Sequence, residues 1–236
     1  MNLVVLFPED FVSERSVRLE GRRKEHIANI HRIKLGDTLQ VGLLGGKMGS
    51  GLVVALDKEA VEMETSLLQE PPQKLPLTLV VALPRPKALN RVIASATSLG
   101  VARIIILNAW KVEKSYWKSK RMNEANLLYQ RILGLEQSRD TVLPDLSIAR
   151  FFGPFVHDEL SQIASQTHRL VAHPAATAPC PSSIEAPCTL IIGPEGGFIQ
   201  DEVQALEKIG FSPVSIGSRT LRTETALAVL VGRLYH

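Results

Sequence analysis

Three prolines within six residues, Pro71, Pro72 and Pro76 in the stretch Gln69-Glu70-Pro71-Pro72-Gln73-Lys74-Leu75-Pro76, constrain this chain more than any other feature. Proline fixes φ and removes an amide donor, so the stretch denies the backbone both helical and ladder hydrogen bonds. A boundary there gives two domains, residues 1–70 and 71–236. The first side carries short apolar runs at residues 3–7, 38–41, 52–56 and 60–67, broken by turn chemistry such as Leu35-Gly36-Asp37. These predict a small β-barrel with one helix over residues 24–33. The glycine stretch Gly45-Gly46-Lys47-Met48-Gly49-Ser50-Gly51 invites a phosphate-loop reading, but that loop needs Ser or Thr after its lysine and Met48 stands there. A glycine-rich hairpin accounts for it better.

Beyond the prolines the rhythm becomes strand and helix in alternation, the pattern of a parallel α/β sheet. Residues 79–83, 102–107, 169–172, 189–192 and 214–216 read as buried strands. Helices are expected over 88–99, stopped by Gly100, and over 121–138, 156–166, 200–209 and 224–235, the last capped by Thr223. No G-x-G-x-x-G follows any of these strands, which counts against a dinucleotide-binding domain.

Composition narrows the function class. Apolar residues make up 45% and charged residues 22%, which marks a folded globular chain. No apolar run approaches the roughly 18 residues of a membrane span, and the first ten residues lack the basic and apolar regions of a secretion signal, so a cytoplasmic protein away from membranes is expected. Cys180 and Cys188 make neither a disulfide framework nor a convincing zinc site, and no metal is expected. A net charge of +3 is too small to argue for nucleic acid, but its distribution is uneven. Arg15, Arg18, Arg22, Arg23, Lys24, Arg32 and Lys34 form one basic cluster; Lys111, Lys114, Lys118, Lys120 and Arg121 form another around Tyr116 and Trp117. Either could be a solvated face, and the basic-plus-aromatic mixture of the second suits RNA phosphates and unstacked bases.

Three segments carry chemistry. The strand Leu190-Ile191-Ile192 runs into Gly193-Pro194-Glu195-Gly196-Gly197-Phe198, where glycines let backbone amides approach a flat ligand because no Cβ intervenes. Ser215-Ile216-Gly217-Ser218-Arg219-Thr220-Leu221-Arg222-Thr223-Glu224-Thr225-Ala226 is again strand, polar loop and helix, and its two arginines need anionic or carbonyl partners. Glu136-Gln137-Ser138-Arg139 ends a helix before Pro144.

Together and in this order, these segments resemble the signature of the bacterial 16S ribosomal RNA uracil-N3 methyltransferases of the SPOUT superfamily. Leu99-Gly100-Val101 and residues 26–37 extend the likeness to nearly the whole chain. Ser98 stands where that family commonly has Glu, and Ile199 where a capping Ser or Thr is usual. The resemblance implies a trefoil-knotted parallel α/β domain with an N-terminal PUA-like barrel. It also implies a homodimer acting on 16S ribosomal RNA in the small subunit, with S-adenosylmethionine as cofactor. Leu170, Ala172 and His173 would lie near the adenosine, with Ile192, Gly193, Pro194, Glu195, Gly196 and Gly197 beneath it. Ser215, Ile216, Gly217, Leu221, Arg222, Thr223, Thr225 and Ala226 would close over the methionine part. For catalysis, Arg222 and Arg139 are expected to donate to a uracil carbonyl, with Glu136 or Glu224 as candidate base. Arg15, Arg22, Arg23, Lys24, Arg32, Lys114 and Lys118 are the expected RNA contacts. The competing readings are a SPOUT enzyme acting on ribose 2′-OH or transfer RNA, and a non-catalytic RNA-binding dimer.

Overall fold

The computed structural model describes residues 2–30 and 33–235, apart from the side chains of Arg22, His26 and residues 28–30. The chain forms two compact units. One comprises Met1–Pro72 with Leu135–Leu143, the other Gln73–Gly134 with Pro144–His236. The change from one to the other at Pro72 falls inside the proline stretch. Residues 135–143 join the first unit without any linker composition to announce it.

In the first unit β1 (Val4–Leu6), β2 (Ser16–Glu20), β3 (Thr38–Leu43), β4 (Met48–Leu56) and β5 (Ala60–Gln69) form one sheet in the order β1-β3-β4-β5-β2. Only the β1–β3 pairing is parallel. The expected barrel is therefore a curled half-barrel, with β1 and β2 as its edges. Register shifts at Met48/Gly49 and Val53/Ala55 curl the sheet, as bulges do. The glycine stretch supplies the β3–β4 turn and the start of β4. A Cβ on Gly49 would stand 1.9 Å from the Ser66 carbonyl oxygen, so only glycine fits there. Helix α1 (Gly21–Ile30) places Ile27 in a core with Leu6, Val17, Leu19, Val41 and Met63. The segment 135–143 is fastened to the same unit: the Asn2 and Leu3 amides donate to Glu136 O, and the Gly45 amide to Thr141 O at 2.8 Å.

The second unit contains β6 (Leu75–Ala82), α2 (Pro86–Ser98), β7 (Val101–Leu107), α3 (Glu124–Ser138), β8 (Asp145–Ala149) and α4 (Phe152–Pro154). A π-helical turn, Phe155–Leu160, leads into α5 (Ser161–Ile163). Then follow β9 (His168–Ala172), β10 (Cys188–Ile192), α6 (Gln200–Lys208), β11 (Ser212–Val214) and α7 (Thr223–Tyr235). The last four residues of α3 are counted with the first unit. All six strands are parallel, in the order β11-β9-β10-β6-β7-β8.

Both faces of this sheet are covered, so its central strands are continuously apolar. Along β6 successive side chains go to opposite sides: Val80 and Ala82 pack with Leu89 and Ile93, while Leu79 and Val81 pack with Leu227 and Leu230. Pro76 sits at the start of β6, where the register to β7 slips, and Pro213 lies on the edge strand β11; a missing amide is tolerated at both places. From β6 the order runs out through β7 and β8 on one side and through β10, β9 and β11 on the other. The reversal lies between β6 and β10, where ligand crevices of open α/β sheets form at the strands' carboxyl ends. Among the described residues no helix is long and apolar enough to cross a membrane, and no group of His, Cys, Asp or Glu is placed to hold a metal ion.

Candidate functional site

β10 is buried at every position and ends at Ile192, so the chain emerges at the sheet's carboxyl edge directly into Gly193. A Cβ on Gly193 would press on the Phe198 ring at 3.1 Å, and Gly197 holds φ at 69° while its amide donates to Pro194 O. These are reasons for glycine at both positions. The loop is staked on two sides. Glu195 Oε1 accepts from the Arg85 amide at 2.9 Å, and Lys111 Nζ donates to Gly196 O at 2.8 Å. Ile199 cannot cap α6 with its own side chain, and Glu202 reaches back instead to accept from the Ile199 amide at 3.0 Å.

The second loop leaves β11 at Val214, two residues earlier than the expected strand end. Ser215 carries on as a single bridge to Pro179, and its Oγ accepts from the Gly217 amide at 3.2 Å. Helix α7 begins at Thr223 itself, and the Ala226 amide donates to Arg222 O. Its first turn thus starts at the cleft wall. From β9, His173 enters the same region. Its amide donates to Val214 O and its Nδ1 accepts from the Ala175 amide at 3.3 Å, which leaves Nε2 to carry the proton in the neutral ring.

These three strand ends enclose a cleft of about 310 Å³, within the range of small-molecule sites. Of the residues expected at the cofactor, Ala172, His173, Ile192, Gly193, Pro194, Glu195, Gly197, Ser215, Ile216, Gly217, Leu221, Arg222, Thr223 and Ala226 line it. Leu170 lies in the core below, Gly196 forms the loop tip held by Lys111, and Thr225 is exposed on α7. Phe198, Pro174, Arg219, Thr220, Val214 and Leu230 line it as well. Arg219 and Phe198 belong to the two chemistry-bearing turns of the sequence. Pro174, Val214 and Leu230 had no signal apart from the fold.

Among the described residues the side chains of Arg219 and Arg222 have no ion-pair or hydrogen-bond partner in the protein, so two exposed cations face one cleft. Glu224 is not equally free: its Oε1 pairs with Arg91 Nη2 at 3.1 Å. Glu136 and Arg139 lie on the segment counted with the first unit and do not line this cleft.

The expected RNA contacts divide similarly. Arg15 is exposed, and Lys24 donates to Lys58 O at 2.9 Å. Arg23 is bound into the fold: Nη1 and Nη2 meet the two oxygens of Asp10, only 5% exposed, at 2.5 Å each, and the guanidinium lies 4.9 Å over the Phe7 ring. Lys114 and Lys118 are exposed on a short 3-10 helix in the second unit. Arg32 and the side chain of Arg22 lie outside the described residues.

The RNA methyltransferase domain model matches residues 71–235, all but the last residue of the second unit, together with every residue of the cleft. The chain belongs to the RNA methyltransferase family. Among relatives of this methyltransferase, ribosomal RNA small subunit methyltransferase E 1 of Borreliella burgdorferi is 28% identical over 229 residues, covering 96% of this chain and 94% of its own length. The Treponema pallidum ribosomal RNA small subunit methyltransferase E is 29% identical over 232 residues, covering 96% and 87%. The fold matches that of the Neisseria gonorrhoeae ribosomal RNA small subunit methyltransferase E, crystallised with S-adenosyl methionine, at a TM-score of 0.73 over 97% of this chain and 95% of that one, with 22% identity. The family match and the two relatives bear out the family likeness carried by the turns at Gly193 and Arg222.

Proposed function

We propose that this RNA methyltransferase uses S-adenosylmethionine to methylate N3 of a uridine in 16S ribosomal RNA. The observation that carries the proposal is the meeting of the two turns, 193–198 and 215–226, in one cleft at the carboxyl ends of β9, β10 and β11. The cleft suits the cofactor: glycines open its backbone on one side, apolar Ile192, Leu221 and Leu230 offer flat contact, and Arg219, Arg222 and the first turn of α7 attract a carboxylate. When bound, the cofactor supplies an electrophilic sulfonium methyl. Relatives named for small-subunit ribosomal RNA support that RNA as substrate.

The uracil N3 carries a proton and a delocalised lone pair, so its attack needs loss of the proton with charge spreading onto O2 and O4. Arg222, exposed in the cleft wall and without a protein partner among the described residues, donates to the carbonyl oxygen where that charge grows. The cleft loops hold the reactants for in-line displacement. Arg139 and Glu136 enter from the resemblance, as a second donor and a proton acceptor. Glu224, which pairs with Arg91, is the other candidate proton acceptor. Arg15, Lys24, Lys114 and Lys118 hold RNA phosphates. The catalytic unit works as a homodimer, and the trefoil knot belongs to the same reading. It is supported by the strap over residues 173–187, which is bonded through Cys180 to Ser215 and through Ser183 and Ile184 to Arg233 and Leu234 near the end of α7.

Mass spectrometry of ribosomal RNA from a deletion strain tests the whole: one methyl missing from one uridine is expected. That site in wild-type RNA should stop reverse transcriptase, because an N3 methyl blocks pairing and a ribose methyl does not. At saturating cofactor, methyl transfer by Arg222→Ala should fall about a hundredfold. Normal transfer by this variant overturns the role given to Arg222, and failure of the native protein to bind the cofactor leaves only an RNA-binding dimer.

A further inference from the structure

The loop after β7 leaves a tryptophan in water: Trp110 is 79% exposed, and Phe151, which precedes the pocket residue Phe152, is 71% exposed. Single exposed apolar residues are ordinary, but Trp110 sits at a pocket of about 580 Å³ lined with Asn108, Lys114, Trp117, Phe152 and Glu202. Two indoles and a phenyl ring give that pocket flat apolar walls. Trp117 is held in place, its Nε1 donating to Asn108 Oδ1 at 2.9 Å with the Arg150 guanidinium 5.0 Å over its ring. The backbone of Trp110 is anchored by donation to Glu202 Oε1 at 2.7 Å, which leaves its indole in solvent.

The polar groups of the pocket are a donor and an acceptor. Asn108 has spent its carbonyl oxygen on Trp117, and among the described residues its Nδ2 has no protein partner. The Glu202 carboxylate, 6% exposed, accepts one backbone amide on each oxygen and keeps lone pairs for another donor. Lys114 lines the pocket, within a cationic stretch of chain. Residues 110–123 contain Lys111, Lys114, Lys118, Lys120 and Arg121 against Glu113 alone.

The pocket and the cleft lie on one edge of one sheet. Ile192 pairs with Val81 and Val81 with Ile106, so the carboxyl ends of β10 and β7 are level and two strand spacings apart, about 10 Å. They share a wall, since the Phe152 ring in the pocket lies 6.2 Å from the Phe198 ring in the cleft. Lys111 ties the same loop to Gly196.

We infer that this pocket receives one unstacked nucleobase of the RNA, next to the nucleotide presented to the cleft. Aromatic walls stack a base of any kind, the Asn108 and Glu202 groups meet a base edge that both accepts and donates, and the lysines take the flanking phosphates. A protein segment would not need the cationic stretch, and phosphate alone would not need the indoles. The inference rests on reading the neighbouring cleft as the methyl-transfer site.

The test titrates the full-length protein with a single-stranded ribosomal RNA oligonucleotide containing the modified uridine. Trp110→Ala, at an exposed position, should fold normally and bind that RNA about tenfold more weakly, while Trp110→Phe keeps most of the affinity. Cofactor affinity and the salt dependence of RNA binding should not change in Trp110→Ala, whereas Lys114→Ala with Lys118→Ala should lower the salt slope. Removing the base beside the target uridine should cost the native protein the same factor and cost Trp110→Ala nothing further. Unchanged RNA affinity in Trp110→Ala overturns the proposal. So does a loss indifferent to the abasic site, or a defect confined to assembled ribosomal subunits, which would make the pocket a protein contact. If the native protein binds RNA through Trp110 yet does not bind S-adenosylmethionine, the cleft assignment falls and the pocket stands.

Discussion

Arg139 is one of two described non-glycine residues with positive φ, at 56°, directly after the end of α3. The Asp140 amide donates back to Leu135 O and closes the helix in the way a glycine usually permits. A side chain at that position costs the fold about 1 kcal/mol. Arg139→Gly should therefore raise the melting temperature by about 2–4 °C. If the arginine carries the donor role proposed for it, methyl transfer should fall at the same time, and a melt paired with an RNA methylation assay checks both. A gain in both stability and activity would remove Arg139 from the catalytic set. Arg23 argues the other way. Its guanidinium is committed to Asp10, whose Oδ2 also accepts from the Phe7 amide at 2.7 Å. Asp10→Asn should destabilise the first unit by about 2 kcal/mol, seen as a lower urea midpoint. Neutralising Arg23 should likewise cost stability before it costs RNA affinity.

At the level of elements, strands that announced themselves are those buried on both faces, such as β6, β7 and β10, where apolar runs have no other explanation. β2 was harder to see. Val17 and Leu19 point into the core while Arg18 bonds Glu20 and Glu62, and in the sequence those charges read as part of a basic cluster. β8 is an edge strand with no buried apolar run, and the helix expected over residues 156–166 opens into a π-turn that a 3.6-residue period does not describe. The cleft was largely legible because its residues are contiguous with strand ends. Leu230 was not, since it reaches the cleft from the second turn of α7 only once that helix packs on the sheet. Gly134 in α3 shows what pattern alone leaves out. A Cβ there would stand 2.5 Å from Thr97 Cβ and 2.7 Å from the Ala94 carbonyl oxygen on α2. Gly134→Ala, which would favour an isolated helix, should here destabilise the protein by about 1–3 kcal/mol, read from denaturant unfolding.

Across the second unit, chemistry and anchorage occupy opposite edges of the sheet. Helix α7 joins them: Thr223 lines the cleft, and twelve residues or about 18 Å later Tyr235 donates from its hydroxyl to Pro76 O at the amino edge. Cys188 opens β10 at that amino edge, pairing with Leu77 and His168. Burial pushes its thiol from the ordinary value of 9.0 up to about 12, and burial raises Cys180 and Tyr235 as well. Because the folded thiol resists ionisation, the unfolded chain binds fewer protons above pH 9. Stability must then fall as pH climbs from about 9 towards 12, by at most about 1.4 kcal/mol per pH unit for each such thiol. Below pH 9 both states keep the proton and the contribution is whole. Urea midpoints measured from pH 7 to 11 should hold level with respect to these groups up to about 9 and then decline, more shallowly in Cys188→Ala. Since Cys188 lies a full strand away from the cleft, that variant should keep S-adenosylmethionine affinity at neutral pH. A matching loss of cofactor binding would mean that the two edges are not independent.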